Sequence, residues 1–331
     1  MTAHPHREPF GVLLMAYGSP NSLEEIAPYY TDVRGGRPPT PELLAQLTAR
    51  YQAVGGRTPL LAISQAQARG LQARLDRETP GRYRVYLGMK HWHPLLAEPV
   101  RQMARDQIHE AIAIALAPHY SRMSIGGYIA KVEAAQEQLA SEAEAAGAPP
   151  APQPTQFTFV RSWHDQPIFW EALAERVRAA LAAKFSAEER ASVFVLFTAH
   201  SLPERIREWD DPYPHELRAT SEGIASLLAL PANRWDFAFQ SAGRTPEPWL
   251  GPDILTRVRA LAAAGERMVL VCPVGFIADH LEILYDIDIE CRNLARELGS
   301  HVERIEMLNS DPALIEALAT VVRQHTPLRG R

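Results

Sequence analysis

The sequence predicts an α/β protein of doubly wound lobes, each a parallel sheet covered by helices. Three observations carry that expectation. Short apolar runs alternate with longer amphipathic stretches along the chain. Several runs, such as VFVLFTA and MVLVC, are apolar on both faces, which suits strands with helices above and below. The intervening stretches open with recognisable cap residues, so strand and helix alternate as a parallel sheet requires.

In chain order, a strand at Phe10–Ala16 precedes a helix over 22–33, where Ser22 and Glu25 have capping-box spacing. Thr40 ahead of Pro41 opens a helix over 41–54, a cap residue before a proline at the first helical position. A helix over 60–77 leads to a strand at Arg82–Gly88, and one over 94–106 to a strand at Ala111–Ala117. A long Ala/Glu-rich helix over 124–146 leads to a strand at Phe157–Arg161. Between them AGAPPAPQPTQ (146–156) reads as an exposed loop. The second half continues with a helix over 167–184, a strand at Ser192–Ala199, a helix over 213–229 and a strand at Trp235–Phe239. A helix over 252–264, a strand at Met268–Cys272, a helix over 279–298 and a strand at Val302–Met307 follow. Asp311–Pro312 opens the last helix, 312–325. A boundary between lobes is expected near Pro118–Ser121, and the halves read as similar β–α–β layouts.

Composition bounds the function. The 331 residues, 46% hydrophobic and 22% charged, suffice for two α/β units. A net charge of −5 argues against wrapping nucleic acid with a basic face. Two cysteines, Cys272 and Cys291, are too few for a disulfide framework or a four-thiolate cluster, and read as buried thiols. MTAHPHREPF lacks the apolar core of a signal peptide, and no stretch approaches the ~18 apolar residues of a membrane span. A soluble, cytoplasmic protein is expected.

Ligands of open parallel sheets bind beyond the carboxyl ends of the strands. There the chain places Tyr17-Gly18-Ser19-Pro20, Pro118-His119-Tyr120-Ser121, His200-Ser201-Leu202-Pro203 and Pro273-Val274-Gly275-Phe276, the last leading into Asp279-His280-Leu281-Glu282. Polar, aromatic and metal-capable groups thus recur at one edge. No GxGxxG follows the first strand and no GxxxxGK[ST] occurs, so nucleotides find little support. A GxSxG elbow is missing too, and DHLE is not HExxH.

In DHLEILYDIDIEC (279–291), Glu282, Asp286 and Glu290 recur every four residues, an acidic line on one helix face. Two readings stand: a solvated face, or a path for a hydrated cation. The apolar residues between them favour a buried helix, and buried carboxylates need partners or a cation. His200 reads either as a hydrogen-bonded structural residue or as a metal ligand or proton acceptor. His91 and His93, in KHWHP, share a side in an extended strand but have no acidic neighbour in sequence.

Several segments together carry a family resemblance. They are LLMAYGSP (13–20), YYTDVRGGR (29–37), RYQAVGGRTPL (50–60), LAPHYS (116–121), FTAHSLPERI (197–206), DPYPHEL (211–217), FQSAGRTPEPWLGPD (239–253) and VCPVGFIADHLEILYDIDIEC (271–291). Over nearly its whole length the chain resembles ferrochelatases, most of all the soluble coproporphyrin III enzymes of Gram-positive and related bacteria. MAYG favours that branch over membrane-associated relatives acting on protoporphyrin IX.

The resemblance implies two similar Rossmann-like, chelatase-like lobes with a porphyrin cleft between them. The first would span 8–118 plus 306–328, with a returning C-terminal helix, and the second 119–305. It implies insertion of Fe²⁺ into the macrocycle with loss of two protons, in haem biosynthesis. It implies His200 and Glu282 as the catalytic and iron-site pair, and Asp286 and Glu290 as an outer site for a hydrated divalent cation. A π-type widening of their helix would align them. Tyr17, Arg34, Arg50, Tyr51, Thr58 and Tyr128 match positions that contact the porphyrin or its carboxylates, Tyr17 also as axial ligand to product iron. Gly35 follows Arg34 where some relatives carry a second basic residue. Neither a prosthetic group nor an iron–sulfur cluster is implied. The implied partners are the porphyrin and ferrous iron, with transient contact to neighbouring haem-pathway enzymes and none to nucleic acid. Competing readings are a chelatase for cobalt or nickel, and a non-catalytic haem or porphyrin carrier. A two-lobe periplasmic binding protein is disfavoured by the N-terminal sequence.

Overall fold

The computed structural model describes residues 9–145, 154–243 and 245–327. The loop expected at 146–156 falls mostly outside these residues, as does position 328. Among them, eight strands form two four-stranded sheets, both wholly parallel. The first contains β1 (Phe10–Ala16), β2 (Tyr83–Met89), β3 (Glu110–Ala115) and β4 (Gln156–Val160), in the order β2-β1-β3-β4. The second contains β5 (Phe194–His200), β6 (Trp235–Gln240), β7 (Met268–Cys272) and β8 (His301–Arg304), in the order β6-β5-β7-β8. The two orders are the same, so β1 and β5 hold equivalent places, with Tyr17 and His200 at their carboxyl ends.

The strand sequences explain this. In β1 all seven residues are buried, and in β5 all but His200. Val12 and Leu14 of the first sheet, Val195 and Phe197 of the second, and Leu314 and Leu318 belong to one continuous core. Burying each such side chain contributes about 1.5–3 kcal/mol. The last helix packs against the helices Leu60–Glu78 and Pro167–Lys184, and so helps to join the two halves.

The division expected between 118 and 119 does not follow the sheets. Strand β4 pairs with β3, so the first sheet runs to Val160 and the sheets part between β4 and β5. Pro118–Ser121 is a strand exit that leads into the crossover helix Ile125–Ala145. Parallel neighbours require such a helix, so a proline-marked exit there does not signal a linker.

One local expectation is also corrected. Helix Ile26–Val33 starts later than Ser22, and the Glu25 carboxylate accepts from the Asn21 N–H at 2.8 Å and Trp92 Nε1 at 2.7 Å instead of closing a capping box. The helix expected over 279–298 carries the π-type widening that the resemblance implies: a π-helix over Ile283–Cys291 that continues as an α-helix over Arg292–Glu297. At Thr40 and Asp311 the side chains cap as expected, accepting from Leu43 N at 3.3 Å and Ala313 N at 2.7 Å.

Candidate active site

A cavity of about 640 Å³ opens at the carboxyl ends of both sheets. Tyr17 enters it from β1, His200 from β5, and Glu282 from the turn that feeds the π-helix. His200 Nε2 lies 3.2 Å from Glu282 Oε1, with 32% and 27% of the two side chains exposed. Residues 82 positions apart thus meet inside one cleft.

Neighbours fix both groups. His200 Nδ1 donates to the Ser201 carbonyl, which leaves Nε2 facing Glu282 and the cavity. Tyr213 donates its hydroxyl to the His200 carbonyl at 2.9 Å. Gln240, at the end of β6, donates to the Glu282 carbonyl at 3.2 Å and accepts from Thr198 at 2.8 Å. His280 Nε2 stands 3.5 Å from the other Glu282 oxygen.

The pair holds itself charged. Burial pushes the His200 imidazole down, but Glu282 outweighs it and raises His200 to about 9. Burial pushes the Glu282 carboxyl up, but His200 and then His280 hold it well below the usual carboxylate range. Replacing Glu282 with Gln removes the largest upward influence. The expected result is that His200, followed by NMR, titrates far below the wild-type value of about 9. An unmoved titration would show that Glu282 does not set it.

The other expected site residues are placed as follows. Tyr17 is 44% exposed, lines the cavity, and packs against His91 at 4.7 Å between ring centres. Arg50, Tyr51 and Tyr128 also line it. Tyr51 OH and Thr58 Oγ1 share Ser19 Oγ, at 3.0 and 2.9 Å, in a hydroxyl cluster on the first-sheet side. Thr58 reaches the cavity only through Ser19, which lines it. Arg34 lies over the ring of Tyr30, 5.7 Å from its centre, and Tyr30 rather than Arg34 lines the wall. The KHWHP histidines diverge: His91 is buried and bonded to Asp32 at 2.7 Å, while His93 pairs with Glu98 at 2.8 Å outside the cavity.

The three carboxylates of the acidic line do not form one open row. Asp286 is 4% exposed, ion-paired with Arg50 and hydrogen-bonded by Ser241. Burial raises it to about 6 against the pull of Arg50. Glu290 is exposed. Arg50 also stacks on Tyr285, 4.7 Å from the ring centre. Sequence reasoning did not single out Lys90, Gln240, Ser241 or Trp249, though Lys90, Ser241 and Trp249 line the cavity, as does the strand-exit residue His280, and Gln240 touches Glu282. Gln240 ends β6 and Ser241 follows it directly, so the strand-exit argument could have found them.

A family model described as ferrochelatase matches residues 9–326. The chain is 51% identical over 311 residues to a ferrochelatase of Herpetosiphon aurantiacus, covering 94% of this chain and 97% of that one. It is 42% identical to a coproporphyrin III ferrochelatase of a Geobacillus species, over 97% and 99% of the two chains, and 43% identical to a ferrochelatase of Thermus thermophilus, over 96% and 99%. Among solved structures it is similar to the cobalt complex of a sirohydrochlorin chelatase from Bacillus subtilis subspecies spizizenii. There the TM-score is 0.50 at 10% identity, over 96% and 94% of the chains. No helix among the described residues is long and apolar enough to cross a membrane.

Proposed function

Because this chain belongs to the ferrochelatase family, we propose that it inserts Fe²⁺ into coproporphyrin III, with His200 and Glu282 as the iron-transfer pair. The observation that carries the reading is the 3.2 Å approach of His200 Nε2 to Glu282 Oε1 inside a cavity on the scale of a tetrapyrrole site.

Metallation requires that the macrocycle be bent, that two pyrrole protons leave, and that the iron shed its water. A cleft between packed sheets can offset the distortion through contacts with the rest of the ring. One imidazole and one carboxylate suit Fe²⁺ without the grip of a thiolate site. With only two protein donors the ion stays labile enough to pass to four ring nitrogens. At neutral pH the pair carries a proton on His200, so an arriving cation must displace it. As the ion passes on to the ring nitrogens, the imidazole it leaves is free to accept a pyrrole proton.

Four substituent carboxylates call for more cationic and hydroxyl partners than two. Arg50, Lys90 and the Ser19–Tyr51–Thr58 cluster supply them on the first-sheet side, with Arg34 beyond Tyr30. The Geobacillus relative at 42% identity, named for coproporphyrin III, supports the same branch. Asp286 and Glu290 take the role of an outer station for the hydrated ion, opened when Arg50 turns from Asp286 to a substrate carboxylate. Anaerobic turnover with coproporphyrin III and protoporphyrin IX side by side tests the assignment. The expected result is at least about tenfold higher kcat/KM for coproporphyrin III, since each lost charge-assisted contact is worth about 1.5–3 kcal/mol. Equal or greater turnover of protoporphyrin IX would overturn it.

A further inference from the structure

The π-helix that follows Glu282 is a less favoured backbone form than the α-helix, so something must hold it. Arg304, the last residue of β8, is placed to do so. Its Nε donates to Asp288 Oδ1 at 2.9 Å and its Nη2 to Asp288 Oδ2 at 2.8 Å, a bidentate fork. The same Nη2 lies 3.0 Å from Asp279 Oδ1, and Nη1 donates to the Ile305 carbonyl at 3.0 Å. Only 12% of the arginine side chain is exposed. Asp279 and Asp288 bracket Glu282 in the chain, so one guanidinium ties the residue before the helix to a residue within it.

The entry side is held a second time. The Asp279 N–H donates to Asn309 Oδ1, and Asn309 Nδ2 donates to Asp279 Oδ2, both at 2.8 Å. Asn309 has a positive φ of 51° and accepts on its carbonyl from Gln67 Nε2 at 2.6 Å. Gln67 lies on the helix Leu60–Glu78, beside the first sheet, and lines the cavity. Arg304 is therefore one end of a polar chain that crosses from β8 to the first-sheet side beneath the turn carrying Glu282.

We infer that Arg304 is a positioning residue for iron insertion: by clamping Asp279 and Asp288 it fixes the π-helical register that presents Glu282 to His200. This rests on the reading of Glu282 as an iron-transfer group. Lysine at position 304 cannot replace the clamp, because a single ammonium cannot serve a planar carboxylate in a fork and reach Asp279 at once. Partners that orient ligand groups in this way are worth about 10–100-fold in activity.

The test compares Arg304→Lys, Asp288→Asn and Glu282→Gln, together with Arg304→Lys in the Glu282→Gln background. The expected result for the first two is a loss of about 10–100-fold in kcat, with KM for porphyrin within about twofold of wild type and a cooperative melt retained. Within the Glu282→Gln background, Arg304→Lys should add nothing, because a residue acting only through Glu282 has nothing left to position. Wild-type kcat in folded Asp288→Asn beside an inactive Glu282→Gln overturns the clamp alone, even if Arg304→Lys fails to fold. Equal losses in kcat and porphyrin affinity would also overturn it, as general damage. Full activity in Glu282→Gln would overturn the reading of Glu282 and the clamp with it.

Discussion

Replacing His200 by Ala, or Glu282 by Gln, should lower iron insertion by about 10³-fold while porphyrin still binds, the scale of removing a positioned acid–base and ligand group. The geometry sets what each substitution removes. His200 turns its Nε2 to Glu282 because Nδ1 is committed to the Ser201 carbonyl, so no other nitrogen of that ring can serve the cavity. Glu282→Gln preserves shape and removes charge, so it isolates the electrostatic share of the pair. The proposed porphyrin contacts, Tyr17, Arg50, Tyr51 and Tyr128, line the first-sheet side of the cavity, and neither substitution touches them. Anaerobic loss of porphyrin fluorescence on adding Fe²⁺ measures insertion, and quenching without metal measures binding. Normal turnover of His200→Ala would remove the central claim about the site.

Much of this site was legible because the sheets were. VFVLFTA and MVLVC suit strands buried on both faces, and their exits carry His200 and the turn to Glu282. The motifs around those exits placed both residues on one edge before any distance was known. What stayed hidden depends on contacts distant in sequence. Glu282, Asp286 and Glu290 spaced by four cannot reveal that Arg50, 236 positions away from Asp286, closes the middle carboxylate. Nor can spacing separate an α-helix from a π-helix, since residues four apart share a face in either. The boundary after Pro118 failed for a related reason: the strand exit itself looks like a break, and only the pairing of Glu110–Ala115 with Gln156–Val160 assigns the next strand to the same sheet. The Ser22–Glu25 spacing was overruled by an Asn21 N–H and a tryptophan that sequence distance could not bring into view.

Gly275→Ala should cost the protein both stability and turnover, although Gly275 itself is no ligand. A Cβ at that position would stand 2.4 Å from Ala199 Cβ and 2.9 Å from Ala199 Cα. Neither neighbour is the free end of a flexible side chain, and Ala199 precedes His200 directly on β5. The Gly275 N–H also donates to the Thr198 carbonyl at 3.2 Å, so the loop after β7 is fastened to that strand and cannot simply drift away. The strain must pass into the strand end, and the side chain it moves is His200. Overpacking of this kind costs about 1–3 kcal/mol, and a displacement of about 1 Å in a reacting group can cost about 10²-fold in rate. The expected result is a lower melting temperature together with about 10²-fold lower kcat, with porphyrin binding retained. Ala199→Gly in the same protein removes the struck Cβ and should recover part of both. A Gly275→Ala enzyme with wild-type kcat would mean that the end of β5 yields without carrying His200 with it. The 3.2 Å approach to Glu282 would then depend on something other than the packing of these two chain segments.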